Sequence, residues 1–150
     1  MKISVLCLAL LLAFSVQKTF SQENKCEIAE QNKKIVVEFY QKLFGDKDLS
    51  VIDQYITEDY IQHNPIAADG RQALKDIANK WLANQPKTIV DFQKVVADSD
   101  LVILHIKTKS YTGKDVSLID MFRLKNGKIV EHWDIMQEVP DQSANPHPMF

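Results

Sequence analysis

The chain has 150 residues, of which 45% are hydrophobic and 25% are charged, and its formal net charge at pH 7 is −2. This slightly acidic balance gives no support for binding to nucleic acid or to an anionic membrane surface. The length suits one domain built around one hydrophobic core. We therefore expect a single folded domain that binds neither nucleic acid nor an anionic membrane surface.

The first 21 residues have the pattern of a secretory signal peptide. Lys2 supplies a positive start, residues 3–16 are apolar and uncharged, and Thr19 and Ser21 place small residues at −3 and −1 of a cleavage site. An uncleaved membrane anchor is the alternative, but a span needs about 20 apolar residues. We therefore expect a secreted or periplasmic protein of residues 22–150, with net charge −4 and no membrane attachment after cleavage.

Apolar residues recur at helical spacing in three segments of the first half of the chain. The spacing predicts a helix over residues 27–44 that stops at Gly45, a short second helix, and a third helix that starts after Gly70. The residues expected to face the core are Ile28, Ile35, Val36, Phe39 and Leu43, then Leu49, Ile52 and Ile56, then Leu74, Ile77, Ala78, Trp81 and Leu82. Residues 59–63, before the third helix, read as a short strand.

The second half of the chain reads as β-strands over residues 88–97, 101–106, 116–124 and 128–139. Short connections between them predict an antiparallel meander, and residues 140–150 read as an irregular tail with three prolines. Helices gathered on one side of such a sheet give an α+β fold. We expect three N-terminal helices on a curved, mainly antiparallel sheet that encloses a small-molecule pocket.

The last two strands are joined at residues 125–128, K-N-G-K, and two turn geometries fit this hairpin. A two-residue turn places Asp120 opposite Trp133 and puts His132 on the other face. A three-residue turn places Asp120 opposite His132, with Asp134 on the same face. We favour the three-residue turn, because it gathers the ionisable side chains on one face. That face also has an apolar base of Phe122, Leu124 and Val130.

The opposite face of the same hairpin would carry an apolar patch of Ile119, Met121 and Trp133. An exposed patch of this kind is commonly covered by a partner. We therefore expect a homodimer.

Two segments resemble the SnoaL-like proteins of the nuclear transport factor 2-like superfamily: Y-I-Q-H-N-P at Tyr60–Pro65 and I-D-M-F-R-L-K-N-G-K-I-V-E-H-W-D at Ile119–Asp134. The branch described as predicted SnoaL-like aldol-condensation-catalysing enzymes is the most similar. The resemblance implies a conical SnoaL-like domain over residues 22–139. It also implies a homodimer, because members of the superfamily commonly form one. The superfamily includes polyketide cyclases, ketosteroid isomerase and non-enzymatic binding proteins, so the fold alone does not choose a function.

The resemblance also bears on individual residues. Asp120 matches the aspartate of the isomerase I-D-x-F-R sequence, which is a protonated oxyanion-hole donor. The oxyanion tyrosine of the isomerase falls at Phe39 or Tyr40. The catalytic base falls at Asn64, whose amide cannot act as a base, although His63 could replace it if turned inward. The resemblance therefore implies chemistry other than ketosteroid isomerisation.

For an aldol-type reaction the candidate catalytic residues are Asp120, His132, Asp134 and His63. His132 is the natural base near neutral pH, and Asp120 is the donor to an enolate oxygen. Asp134 would orient the imidazole or share its proton. The plainer interpretation makes Asp120 and His132 a cross-strand pair that closes the core. His63, His132 and Asp134 could bind iron or zinc, but their spacing is generic, and we expect no metal and no organic cofactor.

Six further residues are candidates for lining the pocket: Tyr60, Phe122, Trp81, Phe39, Tyr40 and Met136. The sequence thus predicts an exported, cofactor-independent acid/base enzyme, either an aldol-type lyase or cyclase or an isomerase, acting on a small carbonyl compound. The alternative is a non-catalytic binding protein for a small apolar ligand.

Overall fold

The computed structural model describes residues 25–150, which form three helices and five strands. Helix α1 covers residues 25–40 and continues as a π-helical turn, Gln41–Gly45. Helices α2 and α3 are Val51–Tyr55 and Arg71–Leu82. The expected signal peptide lies outside the described residues. Within the described part of the chain, no helix is both long and apolar enough to cross a membrane.

The strands are β1 (Ile56–Gln62), β2 (Asp91–Asp98), β3 (Leu101–Lys109), β4 (Asp115–Lys125) and β5 (Lys128–Glu138). They form one sheet in the order β1-β5-β4-β3-β2. Strand β1 pairs with β5 in parallel, and the other neighbours pair antiparallel. The predicted α+β fold is confirmed. Residues 140–150 contain neither helix nor strand.

The core lies between the helices and the inner face of the sheet. Burial alternates along β3 and β4, as expected for strands whose side chains point to opposite faces in turn. The buried set combines Val36, Phe39 and Leu43 of α1, Leu74 and Ala78 of α3, and Val102, Leu104, Ile106, Leu118 and Phe122 of the sheet. Burying each large apolar side chain contributes about 1.5–3 kcal/mol. Two further members of this inner face, Asp120 and His132, are ionisable.

The outer face of the sheet is partly covered by the end of the chain. The ring of Phe150 stacks on His105 of β3 at 6.2 Å, and the ammonium group of Lys107 lies 4.8 Å from the centre of the same ring. These contacts explain how an irregular tail keeps a defined place on the domain. They also cover the outward side chains of His105 and Lys107 on β3.

The turn between β4 and β5 differs from the predicted three-residue turn. Lys125 pairs with Lys128, and the two residues between them, Asn126 and Gly127, have φ angles of 52° and 72°. Two consecutive positive φ angles define a type I′ turn, which Asn-Gly favours. The expected three-residue loop is therefore wrong.

A β-bulge just beyond the turn restores the face that the three-residue loop was expected to produce. The register shifts by one residue between Leu124, which pairs with Ile129, and Arg123, which pairs with Glu131. One extra residue in one strand changes which side chains share a face. Asp120 consequently lies opposite Asp134 rather than opposite His132, and Phe122 lies opposite His132. The bulge also buries Ile129 in the position expected for Val130.

Gly45 was expected only to end the first helix, but it allows a close approach between two backbones. Its carbonyl accepts the Thr88 N–H at 3.0 Å, while the Gln41 amide donates to the Thr88 carbonyl at 3.1 Å and accepts the Val90 N–H at 3.0 Å. A Cβ atom on residue 45 would lie 2.8 Å from the Thr88 carbonyl oxygen and closer still to the Gln41 side chain. This contact fixes the segment that leads into β2.

We expect Gly45→Ala to lower the free energy of unfolding by about 1–3 kcal/mol, because the added methyl group must push the two backbones apart. Urea unfolding followed by circular dichroism measures the change. Gln31→Ala, on an exposed part of α1, is the control and should stay within about 0.5 kcal/mol of wild type. An equal, small effect of both substitutions would contradict the role given to Gly45.

Candidate active site

A carboxyl group and an imidazole meet inside the core. The Nε2 atom of His132 lies 2.8 Å from Oδ1 of Asp120, and the two residues are only 8% and 4% exposed. The Phe122 ring packs on the imidazole with a centroid distance of 4.7 Å. Buried polar groups are costly unless they are hydrogen-bonded. The pair therefore depends on each partner being present.

Helix α1 completes the hydrogen bonding of Asp120. The Tyr40 hydroxyl, in the last α-helical turn before the π-turn, donates to Oδ2 of Asp120 at 3.0 Å. Burial and the neighbouring Asp120 raise the pKa of Tyr40 well above its ordinary value, so this hydroxyl stays protonated. Of the two positions that the resemblance allowed for the oxyanion tyrosine, Tyr40 is the one beside Asp120. Phe39 instead packs against Phe122 in the core, at 6.2 Å.

The pKa of Asp120 is raised above that of an ordinary aspartate. Burial is the largest cause, since a charged carboxylate is poorly solvated in the core. Hydrogen bonds from His132 and Tyr40 act in the opposite direction, and the nearby charge of Asp134 raises the pKa again. A carboxyl group with a raised pKa can act as a hydrogen-bond donor.

The second ring nitrogen of His132 is hydrogen-bonded to a side chain of β1. Its Nδ1 atom lies 2.9 Å from Oε1 of Gln62, which also accepts the backbone N–H of Asn64 at 3.0 Å. The Gln62 amide nitrogen donates to the hydroxyl of buried Tyr60 at 3.2 Å. Both ring nitrogens of His132 are therefore bonded within the protein. This geometry argues against His132 as a base that touches a ligand directly.

Asp134 is the half-buried acid of the site. The side-chain amide of Asn64 donates to both of its carboxylate oxygens, at 2.7 and 2.9 Å. The carbonyl oxygen of that amide accepts the Ile66 N–H at 3.0 Å, which turns the amide nitrogen towards Asp134. Asp134 was expected to orient the His132 imidazole, but Gln62 holds that position. One ligand atom each of Asp120, His132 and Asp134 lies within 4.8 Å of the others.

His63 lies on the other side of the sheet, and its predicted place in the site is wrong. Its Nε2 atom is 2.9 Å from Glu131, and its ring stacks on Trp133 at 4.6 Å with an angle of 5° between the planes. Glu131 and Trp133 both belong to the outer face of β5. Because side chains alternate along an extended chain, the inward direction of Gln62 and Asn64 turns His63 outward.

The candidate pocket residues divide by burial. Phe39, Tyr60 and Phe122 are buried with the core, Trp81 of α3 is half-buried, and Met136 is 63% exposed. Met136 and Trp81 are therefore accessible to solvent, whereas the three buried rings belong to the core.

In the described part of the chain, one group of side chains could hold a metal ion, and it consists of Asp120, His132 and Asp134. An ion there would replace the hydrogen bond between Asp120 and His132. His63, which was considered as a third ligand, is excluded by its place on the outer face. The expectation of a site without metal or organic cofactor stays a prediction.

Gln62 was not among the site residues predicted from the sequence, and Asn64 was considered only as a residue that cannot be a base. Gln62 reaches His132 through the parallel pairing of β1 with β5, in which the two residues are in register. That pairing joins segments 70 residues apart, so spacing along the chain gives no sign of it. The available signal was the Y-I-Q-H-N-P segment, in which Tyr60, Gln62 and Asn64 alternate with outward residues.

The chain belongs to the SnoaL-like domain family, whose pattern matches residues 36–132. No curated protein sequence matches it significantly. Among solved structures, a protein of the nuclear transport factor 2-like fold from Mesorhizobium loti is 22% identical, with a TM-score of 0.60 over 73% of this chain and 93% of the other. This similarity shows the fold.

Two further structures have the same fold with names that suggest chemistry. A proposed SnoaL-like polyketide cyclase from a Jannaschia species is 19% identical, with a TM-score of 0.60 over 73% of this chain and 87% of that one. AclR, a proposed hydroxylase from Streptomyces galilaeus, is 20% identical, with a TM-score of 0.60 over 73% and 90% of the two chains. The fold is thus shared by proteins with different proposed activities.

The raised pKa of Asp120 predicts a particular pH dependence of stability. The folded chain keeps a proton that the unfolded chain releases above about pH 4. The free energy of unfolding contributed by this group therefore falls as pH rises from that value to the raised pKa, by at most about 1.4 kcal/mol per pH unit. Asp120→Asn has no such group. We expect the stability of wild type relative to Asp120→Asn to decline over this range in urea unfolding.

The Tyr40→Phe variant provides a second test of the raised pKa of Asp120. The hydrogen bond from Tyr40 lowers the pKa of Asp120, so its removal should extend the decline to higher pH. Parallel pH curves for wild type and Asp120→Asn, or a wild type that gains stability relative to the variant, would show that Asp120 is ionised in the folded protein throughout.

Proposed function

We propose that this SnoaL-like protein is a cofactor-independent acid/base enzyme that acts on a small carbonyl compound, as an aldol-type lyase or cyclase or as an isomerase. The observation that carries the proposal is the buried hydrogen-bonded chain of Tyr40, Asp120 and His132 beside the half-buried Asp134. It combines a carboxyl group of raised pKa with a second carboxylate near solvent. Two carboxyl groups in different environments are a common basis for acid/base catalysis.

Asp134 is the group placed to remove a proton. It is more accessible than Asp120 and His132, and the two bonds from Asn64 hold its carboxylate in one orientation. It would take a proton from the carbon next to the carbonyl, and the C–H bonding pair would form the enolate as the carbonyl π pair moves to oxygen. In an aldol reaction, the enolate carbon then bonds to a second carbonyl carbon, and protonated Asp134 returns the proton to the new alkoxide.

Asp120 is the group placed to stabilise the enolate oxygen. Its raised pKa favours the protonated form that can donate a hydrogen bond. In the ligand-free geometry its two oxygens are bonded to His132 and Tyr40. The role therefore requires the Asp120 proton to turn from His132 towards the ligand when a ligand enters.

A non-catalytic binding protein for a small apolar ligand is the second candidate function. The burial of Asp120 and His132, and the packing of Phe122 on the imidazole, favour it. In that case the pair serves as a polar link between β4 and β5, and ligands contact the more accessible Trp81 and Met136.

Exchange of hydrogen for deuterium next to the carbonyl of small ketones and aldehydes, followed by NMR, tests the proton-abstraction step. We expect Asp134→Asn and Asp120→Asn each to slow exchange by about 10²–10⁴-fold, as for the loss of an acid/base group. His63→Gln, on the outer face, is the matched control and should exchange at the wild-type rate. Wild type exchanging no faster than the Asp120→Asn, Asp134→Asn double variant would leave ligand binding as the function.

We also propose that the protein is exported and forms a homodimer. The pattern of residues 1–21 supports export, and an intact mass beginning at Gln22 would check it. Support for the dimer comes from the outer face of the sheet, where Ile119, Met121 and Trp133 are half-buried and Ile135 is 69% exposed. A second copy of the chain would cover this apolar face.

Ile135→Glu should weaken the dimer, because it places a charge on the apolar face that the second copy would bury. Light scattering at micromolar concentration should then give half the wild-type mass. Ile66→Glu, a substitution of an exposed isoleucine away from the sheet, is the control and should leave the mass unchanged. A monomeric wild type would overturn the proposal.

A further inference from the structure

We propose that Gln62 is a positioning residue that fixes the tautomer of His132, with the result that Asp120 and His132 share a single proton. Only the consequence for activity rests on the proposed function. The location of the proton follows from hydrogen-bond donors and acceptors alone.

The orientation of the Gln62 amide is set by the backbone. The Asn64 N–H, which can only donate, points at one atom of the amide from 3.0 Å, so that atom must be the carbonyl oxygen, Oε1. The amide nitrogen then faces the Tyr60 hydroxyl at 3.2 Å. The Gln62 backbone is held as well, because its N–H donates to Asp69 at 2.7 Å. Gln62 therefore presents a fixed acceptor to its neighbours.

This acceptor dictates where His132 carries its proton. The Nδ1 atom lies 2.9 Å from Oε1 of Gln62, and a hydrogen bond at this distance requires a proton on Nδ1. In a neutral imidazole the other nitrogen, Nε2, is then an acceptor. Gln62 therefore turns a bare nitrogen towards Asp120.

The contact between Nε2 and Oδ1 of Asp120, at 2.8 Å, can then hold one proton and no more. With no proton in the contact, the Nε2 lone pair of His132 would face the Asp120 carboxylate and repel it. With two protons, an N–H of His132 and an O–H of Asp120 would point at each other. Either a protonated Asp120 donates to a neutral imidazole, or an imidazolium donates to a carboxylate. Each arrangement carries one proton, and Tyr40 donates to Oδ2 in both.

Few other ionisable groups face this contact. Asp134 lies opposite Asp120 on β5, Tyr40 approaches from α1, and Tyr60 lies on β1. Burial raises the pKa of both tyrosines, so neither competes for the proton near neutral pH. Among the residues that the structure describes, Asp134 is therefore the neighbouring charge that can bias the proton between Asp120 and His132, and it disfavours the carboxylate form of Asp120.

The ring nitrogen resonances of ¹⁵N-labelled histidine, measured by NMR between about pH 5 and 8, test the proposal. In wild type we expect a protonated Nδ1 on His132 across this range. Gln62→Leu removes the acceptor, so His132 should move its proton to Nε2 and donate it to an ionised Asp120. Gln62→Glu keeps an acceptor but adds a negative charge, which should protonate both nitrogens. His105, bonded to Ser117, is the internal control and should not change.

A wild-type His132 with a bare Nδ1, or a Gln62→Leu spectrum equal to that of wild type, would overturn the proposal. If Gln62→Leu does not fold, the wild-type and Gln62→Glu spectra decide. Asp120→Asn provides a further check, since its amide can donate to Nε2 and should keep Nδ1 protonated without a shared proton.

Kinetic measurements of deuterium exchange distinguish the failure of this proposal from the failure of the proposed function. Gln62→Leu should lower kcat for deuterium exchange by at least about tenfold and leave KM unchanged, because a wrong tautomer alters the proton of Asp120 rather than ligand contacts. Gln62→Glu should also displace the pH profile. A wild type with the expected tautomer but no exchange would disprove the enzyme and leave the role of Gln62 standing.

Discussion

The buried site depends on one hydrogen bond, between Asp120 and His132, because a carboxyl group and an imidazole are stable in an apolar core only when each satisfies the other. Three helices and an alternating sheet would suffice for an ordinary core. This core also contains a polar pair, and its remaining hydrogen bonds come from α1 and β1. Loss of one partner leaves a buried polar group unpaired, which costs about 1–3 kcal/mol. Four elements are thereby tied to one point.

The β-bulge after the β4–β5 turn is what brings this pair together. A type I′ turn alone would send His132 to the outer face, away from Asp120, and one extra residue in β5 reverses that result. The turn is dictated locally by Asn126 and Gly127, but the bulge satisfies the core, where Ile129 is buried. Tertiary packing thus overrides the register that the turn would impose.

The contrast between the locally determined turn and the bulge determined by core packing explains which features could be predicted from the sequence. The helical stripes through Phe39 and Ala78 are local patterns, and they predicted α1 and α3 with most of their buried faces. Two expectations were wrong, since Ile28 is 41% exposed and Ile56 begins β1 rather than continuing the second helix. The common face of Asp120, His132 and Asp134 was predicted for the wrong reason, since a three-residue turn and a bulge have the same effect on side-chain parity. No local pattern distinguishes the two, because both add one residue to the connection between the strands.

The partners supplied by β1 were beyond prediction for a different reason. Strand β1 joins the sheet by a parallel pairing with β5, far along the chain, and its neighbour is chosen by the whole fold. The site is decided by which side chains turn inward at the end of β1 and in the residues that follow it. Gln62 and Asn64 point in and reach His132 and Asp134, whereas His63 points out and stacks on Trp133. Residue type favoured the histidine, but backbone alternation favoured its two neighbours.

The inward direction of the Asn64 side chain has a chemical consequence, because it brings the amide to the carboxylate of Asp134. The resemblance to ketosteroid isomerase places a carboxylate base at this position, and the side chain found here is an amide, which cannot act as that base. The structure instead has the Asn64 amide nitrogen at 2.7 and 2.9 Å from the two oxygens of Asp134. A carboxylate therefore still lies within hydrogen-bond distance of this loop position, but it comes from β5, two residues after His132 in the sequence. The two carboxyl groups, Asp120 and Asp134, then share one pair of strands, and the geometry between them is set by the same bulge that builds the core.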